Sequence, residues 1–144
     1  MIIMKKKDII RAHSRVYSMH DEELNSIEIK NDELRLVFDS LLHPYKHAKK
    51  CILVFHGFED INYDVQFFSI TPDKDLNLTG KMSFLYECLN DKLKGGNPLM
   101  IVTDIFVSSN RVVVEGVPYE EENFSHSTFA ISIASKGFYY LWSR

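Results

Sequence analysis

The sequence has few of the features that mark catalytic, metal-binding or disulfide-stapled proteins. It holds two cysteines and six glycines among 144 residues. No Gly-rich phosphate loop, Gly-x-Ser-x-Gly elbow, paired Cys-x-x-Cys or His-Glu-x-x-His sequence occurs in it. Two cysteines are also too few for the disulfide framework of a small secreted domain. We therefore expect no catalytic residue, no metal and no cofactor, and these absences favour a binding protein over an enzyme without deciding between them.

Long apolar runs are missing as well. The chain begins with four apolar residues, Met1 to Met4, before three lysines, which is too few for the apolar stretch of a secretory signal. Charged residues make up 26% of the chain and break up the apolar stretches, so no membrane-spanning segment is expected. Cys51 and Cys88 stand among apolar residues, which predicts buried, reduced thiols. These observations favour a cytoplasmic protein that does not contact a membrane.

The charge balance argues against nucleic acid as a partner. The formal net charge is −3, so the molecule as a whole offers no field that attracts phosphate backbones. The lysines that do cluster, at 5–7 and 46–50, form short runs beside predicted turns. Short charge runs of this kind are usually solvated surface.

What the sequence does contain is β-structure. Apolar residues alternate over 24–38 on either side of Asn31-Asp32, which predicts a hairpin because Asn and Asp tolerate the positive φ of a tight turn. A buried strand is predicted at 51–55, followed after Gly57 by an alternating strand at 61–67 that pairs with it. Four more apolar, β-branched segments are predicted as strands, at 99–107, 111–117, 128–134 and 138–142.

One segment has the spacing of a helix. Thr79 could cap it, and Met82, Leu85, Leu89 (or Cys88) and Leu93 would share one face before Gly95-Gly96 ends it. The expected fold is therefore a single globular domain over 1–144. It is α+β and mostly antiparallel β, with about eight strands and one main amphipathic helix packed on the sheet.

Acidic residues cluster at three predicted turns. If these turns lie at one end of a sheet they form a surface for a basic partner, because complementary charge speeds association. The alternative is three separate solvated loops. The candidate partner-binding residues are Asp21, Glu22, Glu23, Glu59, Asp60, Glu120, Glu121 and Glu122.

Histidines provide the alternative to a pure binding role. His20 stands next to Asp21, and an imidazole beside a carboxylate could act as acid and base in a pocket. The simpler interpretation is that Asp21 binds backbone amides at the entry to a strand. His43 and His47 have the spacing of a helical metal pair, but Pro44 favours a loop and no third ligand is near. A small enzyme or ligand-binding domain with a pocket near His20 and Asp21 is the second hypothesis.

Three segments of the chain resemble a known class of small bacterial proteins. A His-Asp-leading strand pair precedes a further apolar strand in Met19-His20-Asp21-Glu22-Glu23-Leu24-Asn-Ser-Ile27-Glu-Ile29, Leu34-Arg-Leu36-Val-Phe38 and Ile52-Leu-Val-Phe55-His-Gly-Phe58. This pattern resembles the immunity proteins of bacterial polymorphic toxin systems, in particular the immunity protein 50 family. The resemblance implies a cytoplasmic inhibitor that binds a cognate toxin and carries out no chemistry. The expected function is thus a non-catalytic protein-binding module with a protein partner, such as a basic toxin domain.

Overall fold

The computed structural model describes residues 19–43, 47–72, 75, 77–87, 99–118 and 128–143. These residues form ten strands, one four-residue helix and a further helical turn at 85–87. In chain order the elements are β1 (Glu23–Leu24), β2 (Ser26–Lys30), β3 (Glu33–Phe38), β4 (Lys50–His56), α1 (Ile61–Asp64), β5 (Val65–Pro72), β6 (Leu78–Phe84), β7 (Met100–Val107), β8 (Val112–Pro118), β9 (Thr128–Ile133) and β10 (Gly137–Ser143).

The strands form two antiparallel sheets. The six-stranded sheet has the order β1-β7-β8-β9-β5-β6, and the four-stranded sheet has the order β10-β4-β3-β2. The predicted hairpin is confirmed as β2 and β3, whose turn residues Asn31 and Asp32 have φ values of 53° and 58°. Two successive residues at positive φ match the right-handed twist of the flanking strands.

One hydrophobic core joins the two sheets. Alternate side chains of the four-stranded sheet, such as Leu36, Phe55 and Trp142, belong to the same buried cluster as Phe67 and Ile131 of the six-stranded sheet. Burial of this shared face is the main favourable term for folding. The described part of the chain is therefore a mainly antiparallel β-structure of two packed layers.

The opposite face of the four-stranded sheet has a smaller apolar cluster of its own. Val37, Ile52 and Val54 are buried there, with Tyr139 and Leu141 packed against them. The hydroxyl of Tyr139 donates to Glu33 at 3.2 Å. Partial burial raises the pKa of the Tyr139 phenol, and the neighbouring Glu33 carboxylate raises it further. Val37, Ile52 and Val54 on this face thus have almost no contact with water, although they do not belong to the main core.

The predicted strands at 51–55, 99–107, 111–117, 128–134 and 138–142 are confirmed as β4 and β7 to β10. The strand count of about eight is too low, since ten are described. The prediction at 61–67 is wrong at its start and in its pairing. Residues 61–64 form α1, which Asp60 caps by accepting from the Asn62 amide at 3.2 Å. β5 then pairs with β9 and β6, not with β4.

The predicted amphipathic helix over 79–94 is wrong for its first six residues, which belong to β6. There Met82 lies opposite Phe68 of β5 and is exposed, so it does not dock on the sheet. Residues 85–87 are helical and Leu85 is buried. Cys88, Leu89 and Leu93 lie outside the described residues. The pairing with β5 overrides the local helical spacing, because sheet formation depends on contacts that sequence periodicity does not contain.

Candidate binding surface

The six-stranded sheet has one face on the core and one face away from it. On β5, Val65 and Phe67 point into the core, so Phe68 and Ile70 point outward. The strand register extends this alternation to the other strands of the sheet. Among the described side chains, five large apolar ones on the outward face are exposed. We call this surface the open face; its exposed apolar residues are Phe68, Ile70, Met82, Phe106 and Val117.

The apolar residues of the open face are neighbours by register. Phe68 lies opposite Met82, and Ile70 follows Phe68 two positions along β5. The register of β8 and β9 places Val117 beside Thr128, which itself lies opposite Ile70. Side chains at such positions are within contact range of one another. Phe68, Ile70 and Met82 thus form one apolar cluster, and Phe106 and Val117 lie on neighbouring strands of the same face.

Aromatic side chains extend this surface at the end of β6. Phe84 lies opposite Gln66 on the outward face, and the rings of Tyr63 and Phe84 meet edge-on with centroids 5.0 Å apart. Edge-to-face contacts of this kind add to the stability gained from burial. Tyr63 itself remains exposed.

Two carboxylates lie in the middle of the open face. Asp104 of β7 is directly opposite Glu115 of β8. A β-bulge between Val102 and Asp104 shifts the alternation of β7, so that Val102 and Ile105 both point into the core and Asp104 points outward. Bulges commonly re-aim a side chain at a functional surface. The hydroxyl of Thr103 donates to the Glu115 carbonyl at 3.1 Å and holds the bulge.

The predicted acidic residue Glu22 is not on the surface. Its side chain is buried, with 3% of the residue exposed. Its two carboxylate oxygens accept from the backbone amides of Leu42 and His43, both at 2.8 Å. A buried carboxylate is stable only with such partners. Glu22 therefore anchors the chain after β3 to the chain before β1, and it is unavailable to a partner.

The remaining predicted acidic residues do not form one patch in the described structure. Glu23 lies opposite Ile101 on the edge strand β1, whereas Glu59 and Asp60 precede α1 at the start of β5. Three strands lie between β1 and β5. Four inter-strand spacings of about 4.8 Å therefore place Glu23 at least roughly 19 Å from the turn at 59–60. The backbone amides of Glu59 and Asp60 donate to the Asp64 carboxylate, at 3.0 and 2.9 Å, so 59–60 is an ordered turn. Glu120, Glu121 and Glu122 lie outside the described residues.

The second hypothesis expects His20 and Asp21 to line a pocket, but both side chains lie largely in water. The imidazole and the carboxylate are 3.1 Å apart, but each side chain is 61% exposed. Reacting groups in an enzyme are normally sheltered from water. His43 and His47 are both exposed, and within the described ranges no three His, Cys, Asp or Glu side chains come together as a metal-binding group.

The buried thiol of Cys51 is not a nucleophile either. Burial raises its pKa, and the nearby Glu22 carboxylate raises it further. A reactive cysteine needs the opposite environment, in which a positive charge lowers the pKa. Cys51 therefore belongs to the core.

No matching family, curated protein or solved structure was found for this chain. Its function must therefore be argued from its own surface. Of the helical residues that the structure describes, none belong to a helix long and apolar enough to cross a bilayer.

Asp104 and Glu115 are not among the binding residues predicted from the sequence. A signal for them existed, because each is a lone carboxylate inside a β-branched apolar run, Ile-Val-Thr-Asp-Ile-Phe-Val and Val-Val-Val-Glu-Gly-Val. A charge in the middle of a strand marks a face that is not in the core. The acidic turns give the stronger signal in the sequence because they carry more charges.

Proposed function

We propose that this protein is a non-catalytic protein-binding module and that the open face is its binding surface. One observation carries the proposal: among the side chains that the structure describes, the exposed large apolar residues of the six-stranded sheet all lie on one face. Contiguous exposed apolar surface on a protein usually marks an interaction site. The outer face of the four-stranded sheet differs, since its apolar residues Val37, Ile52 and Val54 are buried.

The finer proposal is that the module is an immunity-type inhibitor of a bacterial toxin domain and acts in the cytoplasm. The residues at 19–38 and 52–58 support it through their resemblance to immunity proteins. An inhibitor of this kind needs a surface and no active site. The second hypothesis of an enzyme with a pocket at His20 and Asp21 has no comparable support, because both side chains are largely in water.

The test is a calorimetric titration against the protein encoded by the reading frame immediately upstream. We expect binding by the wild type and a loss of about tenfold or more for Phe68→Glu, since a charge would replace an apolar contact at the interface. Ile29→Glu is the matched control. Ile29 lies on β2 of the other sheet, and both Ile29 and Phe68 are 37% exposed.

Circular dichroism confirms that both variants are folded. Equal weakening by Ile29→Glu and Phe68→Glu would contradict the open face as the binding surface. Absence of binding by the wild type would contradict the toxin-inhibitor proposal.

A further inference from the structure

The open face has a charge pattern that narrows the kind of partner it fits. Asp104 and Glu115 lie directly opposite each other on neighbouring strands. Like charges at such positions destabilise a sheet. Within the part of the chain that the structure describes, neither carboxylate has an ion pair with Lys, Arg or His. Neither carboxylate is therefore paired with a cation of the described residues.

Apolar residues flank the carboxylate pair on both sides. Phe106 follows Asp104 two positions along β7, and Val117 follows Glu115 two positions along β8, each about 7 Å away by strand rise. The pair also shares a row with Ala130, Phe68 and Met82 across the sheet. When a partner covers these apolar residues, water is excluded and the field of the carboxylates becomes stronger.

A described cation on this face, Arg111, already makes a hydrogen bond within the sheet. Arg111 precedes β8, and its guanidinium donates to the hydroxyl of Ser132 on β9. Its charge therefore does not neutralise the pair through a direct contact. Glu23 adds a third carboxylate at the β1 edge of the same face, opposite Ile101. The open face is apolar with an excess of negative charge.

We propose that the occupant of the open face is a protein segment that presents Lys or Arg with apolar side chains on either side of it. The basic group would lie between the Asp104 and Glu115 carboxylates, and its apolar neighbours would pack on Phe106, Val117 and Phe68. This inference rests on the proposed function and names the chemistry of the partner. Its physical basis is charge complementarity, which contributes to the specificity and association rate of a complex more than to its affinity.

Three other occupants are disfavoured, two of them by the same charge pattern. An anionic lipid surface would be repelled by the carboxylates, and a second copy would bring its own carboxylate pair against this one. A metal ion is disfavoured because no group of three or more ligating side chains lies within the described ranges.

The experiment is a selection from a displayed library of random peptides on the immobilised full-length protein. We expect enriched peptides with a Lys or Arg between apolar residues. Asp104→Asn combined with Glu115→Gln should weaken their binding by about tenfold or more, because both negative charges are removed without a change of shape. Added salt should weaken binding to the wild type and have little effect on the double variant.

The matched control is Glu28→Gln combined with Asp32→Asn. It changes the same two residue types and the same net charge, at an exposed position of β2 and in the exposed turn between β2 and β3. Binding by this control should equal that of the wild type. Equal loss in both double variants would show a net-charge effect and overturn the inference.

The outcomes separate this inference from the proposed function. Enriched peptides that lack a basic residue, yet lose binding with Phe68→Glu, would overturn the basic partner and leave the open face as a binding surface. Binding to phosphatidylcholine vesicles, or a dimer that Phe68→Glu dissociates, would overturn the inference by placing lipid or a second copy on this face. A selection with no peptide that depends on the open face would overturn both proposals.

Discussion

At the scale of single residues, the structure separates carboxylates that hold the fold from those available to a partner. Glu22 and Glu23 are adjacent in sequence, yet Glu22 is buried against two backbone amides while Glu23 lies outward on β1. The difference comes from strand alternation, which turns successive side chains to opposite faces. Chemical type alone therefore does not identify a binding residue, and the face on which the side chain lies decides its role.

The same reasoning gives a prediction for Cys51. Its thiol is fully buried, and burial and the Glu22 carboxylate both raise its pKa. Because the thiolate is the reactive form, we expect a Cys88→Ser variant, which retains only Cys51, to resist iodoacetamide in its native state. Labelling should become fast in denaturant.

A matched control places a thiol at a different site. Phe106→Cys in a chain with Cys51→Ala and Cys88→Ser puts the single thiol on the exposed part of the open face, where labelling should be rapid without denaturant. Rapid native labelling of Cys51 would show that it is not in the core.

At the scale of elements, the pairing of β7 with β8 shapes the open face, and Gly116 is central to it. A Cβ built at this position would overlap the carbonyl oxygen of Ile101 and the end of the Met100 side chain. Gly116 lies opposite Val102, the residue at which the bulge begins. The absence of a side chain is therefore required by the close approach of the neighbouring strand.

Gly116→Ala should accordingly destabilise the protein, because backbone atoms must move to admit the methyl group. We expect a loss of about 1–3 kcal/mol in the free energy of unfolding. Gly80→Ala on β6 is the matched control, since a Cβ there meets nothing within 4 Å, and Ala is favoured over Gly in a strand interior by about 0.5–1 kcal/mol. Urea unfolding measures both, and similar small effects would contradict the close packing of β8 on β7.

Much of the strand arrangement could be predicted from sequence, and the exceptions have physical causes. The β2–β3 hairpin is local, so alternation and the Asn31-Asp32 turn were sufficient to find it. The sequence predicts a helix where β6 lies because Met82 and Leu85 fit a helical period. The pairing of β6 with β5 is a tertiary interaction that this local spacing does not contain. The open face is not predictable from the sequence for two reasons. It depends on which side of the six-stranded sheet packs against the four-stranded sheet, and on a bulge that reverses the alternation before Asp104.

At the scale of the whole molecule, the two sheets depend on each other. Each sheet contributes alternate side chains to a single buried cluster, and neither could keep that face out of water alone. The length of the chain predicts a single domain. Each sheet also has a second face directed away from the shared core. On the six-stranded sheet, this second face has exposed apolar residues.

If the shared core makes the sheets one cooperative unit, they should unfold together. Trp142 is the only tryptophan, and it is buried on β10 with its ring stacked on Tyr140 at 5.6 Å, so its fluorescence reports on the four-stranded sheet. A Trp142→Phe variant with Phe129→Trp moves the reporter to β9 of the six-stranded sheet. Loss of either layer exposes the apolar face of the other, so we expect each protein's fluorescence transition in urea to coincide with its own far-ultraviolet circular dichroism transition. A fluorescence midpoint that departs from the dichroism midpoint in either protein would show that the sheets unfold separately, and the chain would then not be a single cooperative domain.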